Sequence, residues 1–184
     1  MDIQLLDNPA QIRDRFAARF VLSWEEYQIQ LKDWIARMAE KNYIVDFDHY
    51  RKDYMWCRMD EKFPAVSFRE ALAFLRTIPG EVYFMSEDAD CICSPSTILN
   101  NPIGTVAQVS ASALADLIEE EWFEDYRLAM EDRYNPHHVL PDEVYVFDNT
   151  MTWCVVFTHE TTDWESESDD PMKAAESRYC ILCK

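Results

Sequence analysis

The chain has 184 residues, 48% of them hydrophobic and 14% aromatic, enough to bury a substantial core and too much for a disordered segment. It carries 35 acids against 17 bases, a formal net charge of −18, and no basic run longer than two residues, which argues against a nucleic-acid partner whose phosphates need clustered Lys and Arg. With only two glycines, Gly80 and Gly104, it has no Gly-rich phosphate loop, dinucleotide fingerprint or glycine-hinged nucleophile elbow.

In chain order, Asn8-Pro9 is a helix start, and Ile12, Phe16 and Phe20 recur every fourth residue after it, predicting a helix over about 9–20. Ser23 with Glu26 forms a capping box for a helix over about 24–40, whose face is Tyr27, Leu31, Trp34, Ile35 and Met38. The stretch 43–63 is ambiguous. Ser67 with Glu70 opens a third helix bearing Phe68, Ala71, Leu72 and Leu75, and Pro79-Gly80 ends it. Glu81–Met85 is β-prone and leads to the acidic loop Glu87-Asp88-Ala89-Asp90, and Ser94–Gly104 reads as irregular. A long helix follows over about 112–133, with Leu114, Leu117, Ile118 and Trp122 inward and Glu119, Glu120, Glu121, Glu124 and Asp125 largely outward.

Glu143–Phe147 and Thr152–Thr158, joined through Asp148-Asn149-Thr150-Met151, predict a β-hairpin. Strict alternation puts Trp153, Val155 and Phe157 on one face and Cys154, Val156 and Thr158 on the other. A solvated acidic loop is expected at about 160–172, and Arg178–Cys183 reads as a last strand. Helices first and strands later predict a single α+β domain over 1–184, with a mainly antiparallel sheet and helices packed on one side.

The start Met1-Asp2-Ile3-Gln4-Leu5-Leu6-Asp7 lacks the pattern of a signal peptide, and there is no apolar run of membrane-spanning length, so a cytoplasmic protein without membrane association is expected. The six cysteines then read as reduced, mostly buried thiols. Cys91 and Cys93 with Cys180 and Cys183 are the residue types of a zinc site, with His137 and His138 as substitutes. Against this, Cys180 and Cys183 point to opposite faces if the segment is a strand. Asp46, Asp48 and His49 are types that a Mg²⁺ or Mn²⁺ ion takes, and as so short a cluster they read as solvated surface. No metal and no cofactor is expected.

Two functional readings follow. The acidity is concentrated in residues 119–170, which hold 16 acids and two bases. Glu120, Glu121, Glu124 and Asp125 on the long helix, with Asp163, Trp164 and Glu165 in the acidic loop, form a candidate surface for a basic protein partner, with Trp164 as an apolar anchor. The alternative is a small hydrolase using His159 as general base with Asp148 or Glu160. A plain structural or regulatory module of a larger assembly is a third possibility.

The string Tyr145-Val146-Phe147-Asp148, then Trp153, then Phe157-Thr158-His159-Glu160 resembles a hairpin of small uncharacterised bacterial proteins of the polymorphic-toxin immunity type. The resemblance covers about 16 residues and implies a bacterial cytoplasmic protein without known catalysis. It points the same way as the charge, to an immunity or antitoxin-like inhibitor that occludes a basic toxin domain.

Overall fold

The computed structural model describes residues 3–41, 55–59, 63–86, 106–131, 140, 143–161 and 177–184. In chain order these form β1 (Ile3–Leu5), α1 (Pro9–Phe20), α2 (Trp24–Glu40), a 3-10 turn (Met55–Arg58), β2 (Ala65–Val66), α3 (Phe68–Thr77), β3 (Glu81–Met85), β4 (Val106–Ser110), α4 (Ala111–Met130), β5 (Val144–Phe147), β6 (Cys154–Thr161) and β7 (Arg178–Cys183). The strands make one seven-stranded sheet in the order β1-β4-β3-β5-β6-β7-β2, with every pairing antiparallel. This is the α+β, antiparallel architecture that the sequence predicts.

Local signals set the helix starts. Pro9 stands in the first turn of α1. Both predicted capping boxes are formed, Ser23 Oγ accepting from Glu26 N at 3.3 Å and Ser67 Oγ accepting from Glu70 N at 3.2 Å, with each glutamate returning a bond to the cap's own N–H. After α3, Gly80 turns the chain into β3 at φ +81, a conformation that side chains with a Cβ rarely adopt.

The central strands are apolar on both faces, so each face must be covered. Val82 and Phe84 of β3, Val144 and Val146 of β5, Val155 and Phe157 of β6, and Cys180 and Leu182 of β7 pack with Phe68, Leu72 and Leu75 of α3 and Leu114, Ile118 and Trp122 of α4. Their alternates, Met85, Tyr145, Phe147, Cys154, Val156, Ile181 and Cys183, pack with Phe16 and Phe20 of α1 and with Met55 and Met59. The predicted alternation of Trp153, Val155 and Phe157 against Cys154 and Val156 is therefore present. One-sided helix packing describes α3 and α4 but not α1, which covers the opposite face because Phe16 meets Tyr145 edge-on and Phe147 at a tilt, ring centroids 5.6 and 4.8 Å apart. Three arginines then tie α1 to loop carbonyls: Arg13 to Ser86 at 2.9 Å, Arg15 to Asn149 at 3.2 Å and Arg19 to Met151 at 3.3 Å.

The β5–β6 connection is held by Asp148. Its Oδ1 accepts from the N–H groups of Thr150 at 2.9 Å and Met151 at 3.0 Å, and its Oδ2 accepts from Trp153 Nε1 at 2.9 Å. Met151 takes a positive φ of 51 with its side chain buried, so the side chain of Asp148 supports a backbone that local propensity disfavours. Glu160 and Thr161, expected at the start of the acidic loop, belong to β6, and the rest of that stretch, residues 162–176, lies outside the described residues.

Two outcomes are expected. Trp153→Ala, which removes a large buried ring and the indole bond to Asp148, should cost about 3–5 kcal/mol in chemical denaturation. The Ser67 capping box holds the Glu70 carboxyl below its ordinary range, chiefly through the backbone N–H of Ser67. Its stabilisation is thus present above the ordinary pKa of 4.5 and lost as pH falls through the lower folded value, so Glu70→Gln should flatten the acid limb of a melting-temperature profile and change little near neutrality.

Candidate functional site

α4 has two chemically distinct faces, set by its period of 3.6 residues. Ala111, Leu114, Ala115, Ile118 and Trp122 are buried against the sheet and α3. On the other side Asp116, Glu120, Glu124 and Arg127 follow one another at spacings of three and four, with Glu131 four residues on, just past the helix end, and Glu119 beside Glu120 at the edge, making a stripe of five carboxylates and one guanidinium. Arg76 of α3 reaches this stripe, 2.9 Å from Asp116 and 2.5 Å from Glu119. Arg127 lies 2.6 Å from Glu124 and 3.0 Å from Glu131.

Both arginines have their pKa raised by these carboxylates, Arg76 chiefly by its hydrogen bond to Glu119 and Arg127 chiefly by its bond to Glu124. The pairs are solvent-exposed, with 70% of the Asp116 side chain accessible, so they contribute little to stability. Their effect is on geometry: they orient the carboxylates while leaving the stripe with five negative charges against two positive ones.

Of the residues singled out from the sequence, Glu120 is exposed on this stripe, and Glu124 is on it and paired with Arg127. Glu121 is not. It is only 7% exposed, and its Oε2 accepts from the backbone N–H of Leu140 at 2.8 Å, so it works as an internal acceptor rather than a partner-facing charge. Asp125 falls one turn beyond Glu121 and Trp122 and is half-buried. Asp163, Trp164 and Glu165 lie outside the described residues. Asp116 and Glu131 were not singled out from the sequence, and Glu119 was placed outward on the helix but not in the candidate surface. The signal was available in the helical spacing, which separates Glu120 from Glu121 by about 100° and places Glu121 with Leu114 and Ile118.

Behind α4 the interior is polar in one region. Arg178, 7% exposed, stacks its guanidinium on the Trp122 ring and donates from Nε to the carbonyl of Thr158. Thr158 Oγ1 donates to the Tyr179 carbonyl at 2.8 Å and accepts from Glu160 N at 3.2 Å. Glu143, at the start of β5, is fully buried. This end of the sheet therefore holds charge inside, where desolvation makes hydrogen bonding obligatory.

The hydrolase reading loses one of its arms. Phe147 is in register with Cys154, so Asp148 sits at the turn end of the hairpin, whereas His159 is five residues further along β6, about 17 Å at the usual strand rise. Asp148 is also committed to the turn and to Trp153.

Among the described residues no group of three or more His, Cys, Asp or Glu is placed to hold a metal ion. Cys180 and Cys183 pack into opposite faces of the sheet, as strand alternation requires, and so do not converge on one ion. Burial pushes the Cys180 thiol up to about 12. Cys91, Cys93, His137, His138, Asp46, Asp48 and His49 lie outside the described residues. No helix of the described residues is long and apolar enough to cross a membrane.

The two faces of α4 differ in what substitution should do. Glu121→Ala, which strands the Leu140 N–H, should lower stability by about 1–3 kcal/mol. Glu120→Ala should leave the urea midpoint nearly unchanged. Equal midpoints for the two variants would contradict the assignment of faces.

No protein family, curated protein or solved structure matches this chain, so the functional reading rests on the chemistry of the site itself.

Proposed function

We propose that the protein is an acidic binding protein of the immunity or antitoxin-like kind, which acts in the cytoplasm and occludes a basic protein partner such as a toxin domain. The observation that carries the proposal is the outer stripe of α4. Asp116, Glu119, Glu120 and Glu124 stand on a helix whose opposite face is fixed in the core, with Glu131 one residue past its end, so their backbone positions are held relative to one another. Carboxylates on a held backbone need less reordering on binding, and a one-sign surface steers an oppositely charged partner toward it. The net charge of −18, densest in residues 119–170, supports the same reading because it extends the negative field beyond the helix and repels nucleic acid.

The interleaved arginines refine the picture. Arg76 and Arg127 prevent the carboxylates from repelling one another without cancelling them, and a partner presenting Lys or Arg competes for the same oxygens. Such an interface acts mainly on the association rate, whereas an apolar anchor acts on dissociation. Trp164, alone among acids in the sequence, is the residue assigned that second role.

The test begins with the basic protein that co-purifies from the native host and measures its association by stopped flow. The wild-type rate should fall steeply as salt rises past about 0.1 M, where the Debye length is roughly 10 Å. Asp116→Lys combined with Glu120→Lys should slow association about tenfold at low salt while dissociation changes less, and Trp164→Ala should chiefly speed dissociation. Association indifferent to both salt and charge reversal would overturn the proposal and leave the stripe as a solubilising surface.

A further inference from the structure

We propose that Cys154 and Cys183 are a redox-active pair, a site at which a peroxide oxidises two buried thiols to one cross-strand disulfide between β6 and β7. The two residues are directly opposed in the antiparallel ladder. Opposed residues in such a ladder have Cα atoms about 4.5–5.5 Å apart, inside the span of about 4.4–6.8 Å over which a disulfide closes without backbone movement. Both side chains enter the same apolar cluster on the α1 side of the sheet. Both are free thiols. Cys180, three residues from Cys183, packs into the opposite face and does not compete.

The surroundings select the oxidant. Cys154 is fully buried and Cys183 is 1% exposed, so a bulky disulfide such as oxidised glutathione is excluded, and hydrogen peroxide, a far smaller two-electron oxidant, reaches them through local opening of the fold. Burial and the neighbouring Cys183 keep the Cys154 thiol protonated at neutral pH, and the positive charge of Arg19 on α1 acts in the opposite direction. Reaction is therefore slow and confined to the small thiolate fraction.

The Cys154 thiolate attacks one peroxide oxygen, the O–O bond breaks, and a sulfenic acid forms as hydroxide leaves. The Cys183 sulfur then attacks the sulfenic sulfur, the S–S bond forms and water is lost. In sum two thiols give up two protons and two electrons, and one peroxide becomes two waters. The product staples the first residue of β6 to the last of β7, beside the turn that Asp148 organises.

The experiment treats the folded protein with hydrogen peroxide, blocks remaining thiols, and maps the products by mass spectrometry. The expected result is a peptide linking Cys154 to Cys183, cleaved by dithiothreitol, with a melting temperature raised by several degrees in the linked form. Cys180→Ser should form the link as the wild type does, and Cys183→Ser should instead carry Cys154 toward sulfinic acid. The proposal is overturned if Cys154 or Cys183 links to any other cysteine in the folded protein, or if both remain free thiols under conditions that oxidise the half-exposed Cys57. The mapping is made on the wild type, so a variant that fails to fold does not remove the test.

Discussion

Burial of the β5, β6 and β7 strands on both faces is the constraint from which the rest of the architecture follows. Val144 and Val146 face one way and Tyr145 and Phe147 the other; Val155 and Phe157 are answered by Cys154 and Val156, and Cys180 and Leu182 by Ile181 and Cys183. A sheet of this kind cannot leave either side to water, since each large side chain gains about 1.5–3 kcal/mol by burial. α3 and α4 cover one side and α1 the other. The arginines of α1 fasten it there through the carbonyls of Ser86, Asn149 and Met151.

The same constraint divides α4. Trp122 must reach Phe68 and Phe157, with ring centroids 4.7 and 5.5 Å away, and this rotational setting carries Glu121 inward with it. A buried carboxylate is tolerated there because the Leu140 N–H meets it. What is left outside is the stripe from Asp116 to Glu131, and its regular spacing is a by-product of the packing on the other side. Where these carboxylates emerge from α4 therefore follows from how the core is filled.

The sequence made the locally coded parts legible and hid the rest for identifiable reasons. α1, α2 and α3 begin where Asn8-Pro9 and the two Ser-x-x-Glu boxes say they begin, because capping is decided within four residues. β1, β2 and β4 were not readable. Ile3–Leu5 and Ala65–Val66 are too short to show alternation, and they are strands only because distant partners, Ala107–Val109 and Cys180–Ile181, supply the hydrogen bonds. In the site, Glu119-Glu120-Glu121 reads as one acidic block along the sequence, whereas in three dimensions the helix turns its third member into the core. The opposed directions of Cys180 and Cys183 were visible from alternation alone, but the partnership of Cys183 with Cys154 needed the strand register.

The division of α4 into a locked inner face and an accessible acidic outer face is open to direct measurement by carbodiimide labelling of carboxylates in the folded protein, read residue by residue by mass spectrometry. Asp116 and Glu120 should label readily while Glu121 and Glu143 remain protected until the protein is denatured. Labelling of Glu121 in the native state as fast as Glu120 would contradict the account, since it would mean that the helix presents a different face to solvent from the one on which both the core and the proposed binding surface depend.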